Sequence, residues 1–248
     1  MAAEVIWGRH PVYEALRAGR SVKRVLLAEG IERARVIGEI VEAAKAQGIP
    51  VQSLDRGALD SISGTDKHQG VLAEVVEFRY ATLEDILARA QDRSEPPLIL
   101  VLDGVQDPQN LGSLLRTAEA VGAHGVVIPK HRAAGISAAV VKTSAGAVQY
   151  LLVAQETNLA RAIEAMKKRG VWVVGLDMGG KDAFDEVDLN MPLALVVGAE
   201  GKGVSRLVKE KCDFLVRIPM RGHVASLNAA VAGSIVLYRA WRGRPPGD

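Results

Sequence analysis

LALVVGAEGKGVSRLV, residues 193–208, runs an uncharged apolar segment straight into a loop that carries Gly198, Gly201 and Gly203. A run this short, stopped by glycines, reads as a buried strand, and the glycines behind it let a ligand come close to the backbone. Ligands of open α/β sheets sit at the carboxyl ends of strands, so the loop stands where a binding site is expected. Two phosphate-binding motifs are excluded. A Walker A loop needs Ser or Thr after its lysine and a glycine five positions before the glycine of its Gly-Lys pair. Here Lys202 is followed by Gly203, and Val196 stands five positions before Gly201. A dinucleotide fingerprint belongs in an early strand-to-helix turn with an acidic residue about 20 positions later. Glu200 instead lies inside the loop. Its carboxylate would repel a pyrophosphate, which favours a cofactor without phosphates.

Around this segment, apolar runs (LILVLD, GVVIP, YLLVA, VWVVGLD, LALVVG, FLVRIP) alternate with helical stretches from Leu98 onward. Such alternation predicts a parallel sheet covered by helices on both faces. The chain turns acidic between Tyr80 and Pro97 and closes that stretch with SEPP. Proline pairs stiffen connections and do not sit in central strands, so 78–97 is expected to be a linker with a helix near Leu83 to Ala90. Residues 1–77 read as a separate, small α/β unit. Pro11 and Gly19 bracket a helix, RVLLA from Arg24 is a strand, and Val36, Ile37, Ile40, Val41 and Ala44 share one helical face that stops at Gly48. PVQSL and VLAEVVEF read as strands around a short helical piece near Arg56 to Ile62.

Two further segments repeat the pattern of strand, loop and helix. In LDGVQDPQNLGSLLRTAEAVGAHGVVIP, residues 102–129, the helix is expected to begin near Leu111 with Asn110 as its N-cap. Leu111, Leu114, Leu115, Ala118 and Val121 form the packing stripe, and Arg116 points well away from it. In FLVRIPMRGHVASLNAAVAGSIVLYRAW, residues 214–241, Ser226 or Asn228 is expected to cap a helix made thin by Ala229, Ala230, Ala232 and Gly233. Taken singly, Asn110 reads as an ordinary cap and Arg116 as a solvated helix residue. A polar pair flanking Leu227, directly after a strand end and a Pro, Met and Gly loop, asks for more than packing.

Composition narrows the classes. The chain has 248 residues, 48% hydrophobic and 24% charged, enough for one large core or two smaller ones. No apolar run approaches the roughly 18 residues of a membrane helix, and the start lacks a basic segment followed by an apolar stretch, so a cytoplasmic protein without membrane contact is expected. Cys212 is the single cysteine, and the five histidines show no zinc-ligand spacing, so no metal is expected. The net charge of +2 is unevenly spread: residues 202–248 carry nine basic side chains against three acidic ones, a net of +6. A basic surface there suits a polyanion such as RNA, although a solvated charged face would look the same.

The three blocks, in this order and spacing over residues 98–241, resemble the SpoU branch of the SPOUT methyltransferases, the family of TrmH-like RNA 2'-O-ribose methyltransferases. NLGSLLR is similar to that family's first motif, VVGAEGKGVS to its second and IPMRGHVASLN to its third. GRHPVYEALRAG, continuing to HQGVLAEV, is similar to the ribosomal-protein-like substrate-binding domain that precedes the catalytic domain in rRNA members. The resemblance is nearest to members that methylate a guanosine ribose in 23S rRNA.

That resemblance implies an α/β protein in two parts: a small ribosomal-protein-like RNA-binding domain over 1–77 and, after the linker, a parallel-sheet methyltransferase domain over 98–248 with a deep trefoil knot. It implies a homodimer that uses S-adenosylmethionine and acts on ribosomal RNA. Residue by residue, it assigns Gly198, Ile218, Met220 and Leu227 to the cofactor, and Asn110, Arg116, Glu200, Ser226 and Asn228 to the reacting ribose. A guanidinium holds its proton through the physiological range, so Arg116 reads as a clamp on the adjacent phosphate and on developing alkoxide charge rather than as a base. Three rival readings stand beside this one: a tRNA ribose methyltransferase, a nucleotide-dependent dehydrogenase, and a non-catalytic RNA-binding assembly protein.

Overall fold

The computed structural model describes residues 3–17, 21–32, 34–76 and 78–244. Gly19, expected to end the first helix, Glu77, expected to end the first domain, and Asp248 lie outside the described residues. The chain forms two compact units, one drawn from positions 1–79 and 136–139, the other from 80–135 and 140–248.

The first unit runs β1 (Ala3–Trp7), α1 (Arg9–Arg17), β2 (Val22–Ala28), α2 (Arg35–Ala46), β3 (Val51–Leu54), α3 (Arg56–Ser63) and β4 (Val71–Val76). Its sheet has the order β1-β4-β2-β3, with β4 antiparallel to β1 and β2, and β2 parallel to β3. The two-residue period of the strands feeds both faces. Val25, Leu27, Val71 and Ala73 pack with Val12, Leu16, Ile37 and Ile40 of α1 and α2, whereas Leu26 and Leu72 pack with Leu59 of α3. β1 was not among the expected strands. It is a short edge strand whose Trp7 is exposed, and without its β4 partner nothing in AEVIW announces a sheet.

The second unit follows with α4 (Leu83–Asp92), β5 (Leu98–Asp103), α5 (Pro108–Ala120), β6 (Gly125–Pro129), α6 (Ala138–Thr143), β7 (Val153–Glu156) and α7 (Leu159–Lys168). It continues with β8 (Trp172–Leu176), β9 (Asp182–Ala183), β10 (Leu193–Gly198), α8 (Arg206–Lys209), β11 (Phe214–Arg217) and α9 (Ala229–Arg242). Seven strands lie in the order β7-β6-β5-β10-β8-β11-β9, and every pairing is parallel. Ile99, Val101, Val127, Val173, Ala194 and Val196 are covered on one face by Leu83 and Ile86 of α4 and by Leu159, Ile163 and Met166 of α7. On the other, α9 lies so close that a Cβ on Gly233 would meet Leu114 Cδ2 of α5 at 2.7 Å and Val197 Cγ2 of β10 at 3.0 Å.

Two details differ from expectation. The stretch 78–97 is not a free linker, because α4 is part of the second unit's core. Thr82 and Asp85 form a reciprocal capping box, Leu83, Ile86 and Ala90 make one buried stripe, and Ile86 occupies the space that a side chain on Gly125 would need. The helix expected near Leu83 to Ala90 is there, with Glu84 and Asp85 on its outer face. Second, α5 begins before Asn110. Asp107 is its N-cap, accepting from the Gln109 and Asn110 N–H groups, with Pro108 in the first turn. An Asp-Pro pair supplies both a cap acceptor and a preset φ, so it outcompetes Asn110 for that position.

Strand order also places the site. β11 lies beyond β8, two strands from β10, yet α9 packs beside β10 and α5. Residues 218–228 therefore return across the carboxyl ends of the central strands, beside the 198–205 loop.

Candidate functional site

Because Asp107 caps α5, the Asn110 side chain is free for other work. It is 8% exposed, its Nδ2 donates to Glu200 Oε2 at 3.3 Å, and its Oδ1 accepts from Asn228 Nδ2 at 2.9 Å. Asn228 caps α9: its Oδ1 accepts from the Ala230 and Val231 N–H groups at 2.9 and 3.2 Å. Those two donors fix which way the Asn228 amide faces, so Nδ2 must point to Asn110 Oδ1 and to Glu200 Oε1, the latter at 3.5 Å. Asn110 is then oriented in turn, with its own Nδ2 toward the carboxylate. A helix cap thus sets the direction of every hydrogen bond in a triangle drawn from α5, the β10 loop and α9.

Glu200 also belongs to the wall of a cavity of about 500 Å³ at the carboxyl ends of β8 and β10. The glycine loop makes the floor. A Cβ on Gly198 would sit 2.0 Å from the Gly203 carbonyl carbon, and Gly201 and Gly203 have φ of +75° and +64°, so the chain doubles back where side chains do not fit. Asp103 at the end of β5 pins the far side of the loop by accepting from Ser205 N at 2.7 Å. Ile218, Met220 and Leu227 line the cavity with Gly198, so all four residues expected at the cofactor meet there, and Ser226 lies on the same wall. Met220 and Ser226 are exposed, while Ile218 and Leu227 are half-buried.

Arg116 is in neither group. It stands on the exposed face of α5, about 9 Å along the axis from Asn110 at 1.5 Å per residue, and its side chain makes no hydrogen bond or ion pair among the described residues. Its charge is available to a group that arrives from outside.

The other cavity residues were missed in the sequence. Leu176, Asp177 and Met178 come from the end of β8, Lys209 from α8 and Arg217 from β11. Lys209 Nζ pairs with Asp177 Oδ2 at 2.6 Å, and Arg217 donates to the Gly180 carbonyl at 2.9 Å and to that of Lys181. The signal was present in GLDMGG, where an acid and paired glycines follow an apolar run beside the strand of the glycine loop. Cys212 is no reactive thiol: burial, with Asp213 nearby, pushes its pKa up to about 12. Among the described residues no three His, Cys, Asp or Glu side chains cluster to hold a metal ion, and no helix is long and apolar enough to cross a membrane.

The arrangement suits a small molecule with apolar and hydrogen-bonding parts. Its volume lies within the roughly 300–1,000 Å³ of ligand sites, its walls combine backbone and apolar side chains with a few charged ones, and two of its cations are already engaged, Lys209 with Asp177 and Arg217 with the Gly180 and Lys181 carbonyls. One edge of the cavity opens beside the Asn110, Glu200 and Asn228 triangle, so a ligand group at that edge would face a second, polar reactant.

Comparison with known proteins agrees with this geometry. Residues 97–238 match the SpoU rRNA Methylase family, and residues 5–81 match the family described as RNA 2'-O ribose methyltransferase substrate binding. A Bacillus subtilis (strain 168) protein named for the TrmH family of tRNA/rRNA methyltransferases is 48% identical over 243 residues, covering 98% of this chain and 97% of the relative. The crystal structure of the SpoU methyltransferase AviRb from Streptomyces viridochromogenes, in complex with AdoMet, superposes with a TM-score of 0.63 at 26% identity, covering 97% of this chain and 90% of its own. An AdoMet-bound rRNA methyltransferase from Sinorhizobium meliloti superposes with a TM-score of 0.61 at 27% identity, covering 97% of this chain and 87% of its own.

Proposed function

Because this chain belongs to the SpoU rRNA methylase family and is an S-adenosylmethionine-dependent RNA 2'-O-ribose methyltransferase, we propose that it methylates one guanosine ribose of 23S rRNA, as a cytoplasmic homodimer. The observation that carries the reading is the triangle of Asn110, Glu200 and Asn228 at the edge of the glycine-loop cavity. Residues 1–77 bind the RNA substrate, and residues 98–248, together with α4, carry out the transfer.

Bound S-adenosylmethionine supplies an electrophilic methyl on a sulfonium. Gly198, Ile218, Met220 and Leu227 would hold it through backbone groups and apolar contact, and the Glu200 carboxylate on the cavity wall would offer a counter-charge to its positive sulfur. Asn110 and Asn228 orient the incoming 2'-hydroxyl, with Ser226 as a further hydroxyl partner. Alignment of this kind contributes roughly 7–11 kcal/mol to well-oriented reactions. Arg116 would clamp the phosphate next to the reacting ribose and steady the negative charge that develops on the 2'-oxygen.

Arg116 is exposed and without a protein partner among the described residues, which supports a role completed by a second copy of the chain. Val231, Ile235, Tyr238 and Trp241 form an exposed apolar stripe along α9, the neighbour of α5, and a homodimer covering that stripe would bring Arg116 toward the partner's cavity. The return of residues 218–228 beside the glycine loop supports reading the C-terminal segment as the trefoil knot of the family.

Ribosomal RNA is favoured over tRNA because the rRNA methyltransferase from Sinorhizobium meliloti covers both units of this chain. The test is transfer of tritiated methyl from S-adenosylmethionine to purified 23S rRNA and to tRNA. Label at a 23S ribose supports the reading, and label on tRNA alone selects the rival. Calorimetry with the same donor on Arg116→Ala separates the two sides of the site: affinity should stay near wild type while methylation is lost. A large loss of affinity would move Arg116 into the cofactor site.

A further inference from the structure

Asp177 occupies a place that the transfer reaction leaves unexplained. It stands at the carboxyl end of β8, the strand next to β10, so its side chain reaches the cavity from beside the glycine loop. The side chain is only 13% exposed. One oxygen, Oδ1, accepts from Gly179 N at 3.0 Å; the other, Oδ2, accepts from Lys209 Nζ at 2.6 Å. An ionised carboxylate has about four acceptor positions, so two remain, one on each oxygen. Asp177 is also close enough to the loop that a Cβ on Gly203 would meet its Oδ2 at 3.1 Å.

We propose that Asp177 receives the vicinal ribose hydroxyls of the adenosyl group of S-adenosylmethionine, with Lys209 holding the carboxylate in place. This rests on the reading that the cofactor binds in this cavity. A neutral diol suits the remaining acceptors: two adjacent O–H groups can donate to the two oxygens of one carboxylate. The cofactor's other donors fit less well: the Lys209 ammonium would repel the methionyl ammonium at this spot, and the adenine 6-amino group offers its hydrogens from one nitrogen rather than from two adjacent oxygens. The same logic operates in dinucleotide sites, where an acidic residue at a neighbouring strand end takes the ribose hydroxyls. It also orients the ligand, since an adenosyl ribose anchored at β8 leaves the sulfonium free to face the Glu200 edge where the second reactant arrives.

The test uses the full-length protein and two probes without the methionyl tail, 5'-methylthioadenosine and its 2'-deoxy form, with affinities measured by calorimetry. Wild type should prefer the ribose form by about tenfold or more, the effect of one hydrogen bond to a charged acceptor. In Asp177→Ala that preference should fall to near unity. General damage to the loop would weaken both probes together and leave the ratio intact, so an unchanged ratio overturns the assignment. So does a dependence on Asp177 seen with S-adenosylhomocysteine but not with methylthioadenosine, which would give the carboxylate to the ammonium. Ala225→Trp, which fills the same cavity, separates the two layers of the argument. If it weakens binding while Asp177→Ala leaves the ratio unchanged, only the diol contact fails; if it binds like wild type, the cavity reading fails and the contact with it.

Discussion

Asn228 shows how one side chain serves fold and chemistry together. Its Oδ1 caps α9 and its Nδ2 orients Asn110 toward Glu200. Replacing it by Ala removes the cap, which costs about 1 kcal/mol, and frees Asn110 to rotate. Asn228→Asp separates these effects: the carboxylate still caps the helix but cannot donate to Asn110 and repels Glu200. The expected result is a melting temperature near wild type with methylation reduced at least about a hundredfold, read by calorimetric melting and by tritium transfer. His124 carries a different prediction. Its buried Nδ1 accepts from Leu98 N at 3.0 Å, so Nε2 holds the proton and donates to Glu95 at 3.0 Å. Burial lowers its pKa against the opposing pull of Glu95. The folded value therefore lies below the unfolded one, unfolding takes up a proton as pH falls below about 6.5, and stability present above that pH is lost toward acid. His124→Asn keeps an acceptor for Leu98 without a titrating ring, so the slope of melting temperature against pH between about 6.5 and 5 should be shallower than in wild type.

At the scale of elements, close approach of backbones builds the site. Gly198→Ala would place a methyl 2.0 Å from the Gly203 carbonyl carbon, so the loop must open and cofactor binding should be lost, as calorimetry would show. Gly233→Leu would push α9 from α5 and β10 and should lower the melting temperature by several degrees or more, since overpacking costs about 1–3 kcal/mol. Such contacts mark the limit of what was legible in the sequence. The parallel strands were legible because both their faces are buried and they read as unbroken apolar runs. The glycine loop was legible because its spacing excluded the phosphate motifs. The two-residue β9 and the edge strand β1 were not, since neither has an apolar signal without its partner. Asp107 and Asn110 both carry a cap acceptor ahead of the leucines, and only the preset φ of Pro108 decides between them in favour of Asp107. Asp177 was missed because its significance comes from β8 lying beside β10, a neighbour relation that sequence order hides.

For the whole molecule, the two units divide recognition from transfer. The boundary matters for any truncation, because α4 belongs to the second unit. A fragment of residues 80–248 keeps Leu83 and Ile86 in place and should fold, dimerise and bind S-adenosylmethionine, whereas one beginning at residue 96 would uncover that apolar surface and aggregate. The 80–248 fragment should methylate rRNA far more weakly than the full chain, and equal activity would remove the first unit's role in recognition. The excess of positive charge over residues 202–248 predicts that RNA binding weakens steeply with salt. The most direct test of the central claim is the chemical identity of the methylated product. Purified 23S rRNA labelled by the enzyme with tritiated S-adenosylmethionine, digested to nucleosides and separated, should give 2'-O-methylguanosine as the single labelled species. Label on a base, or none on rRNA, would contradict the account.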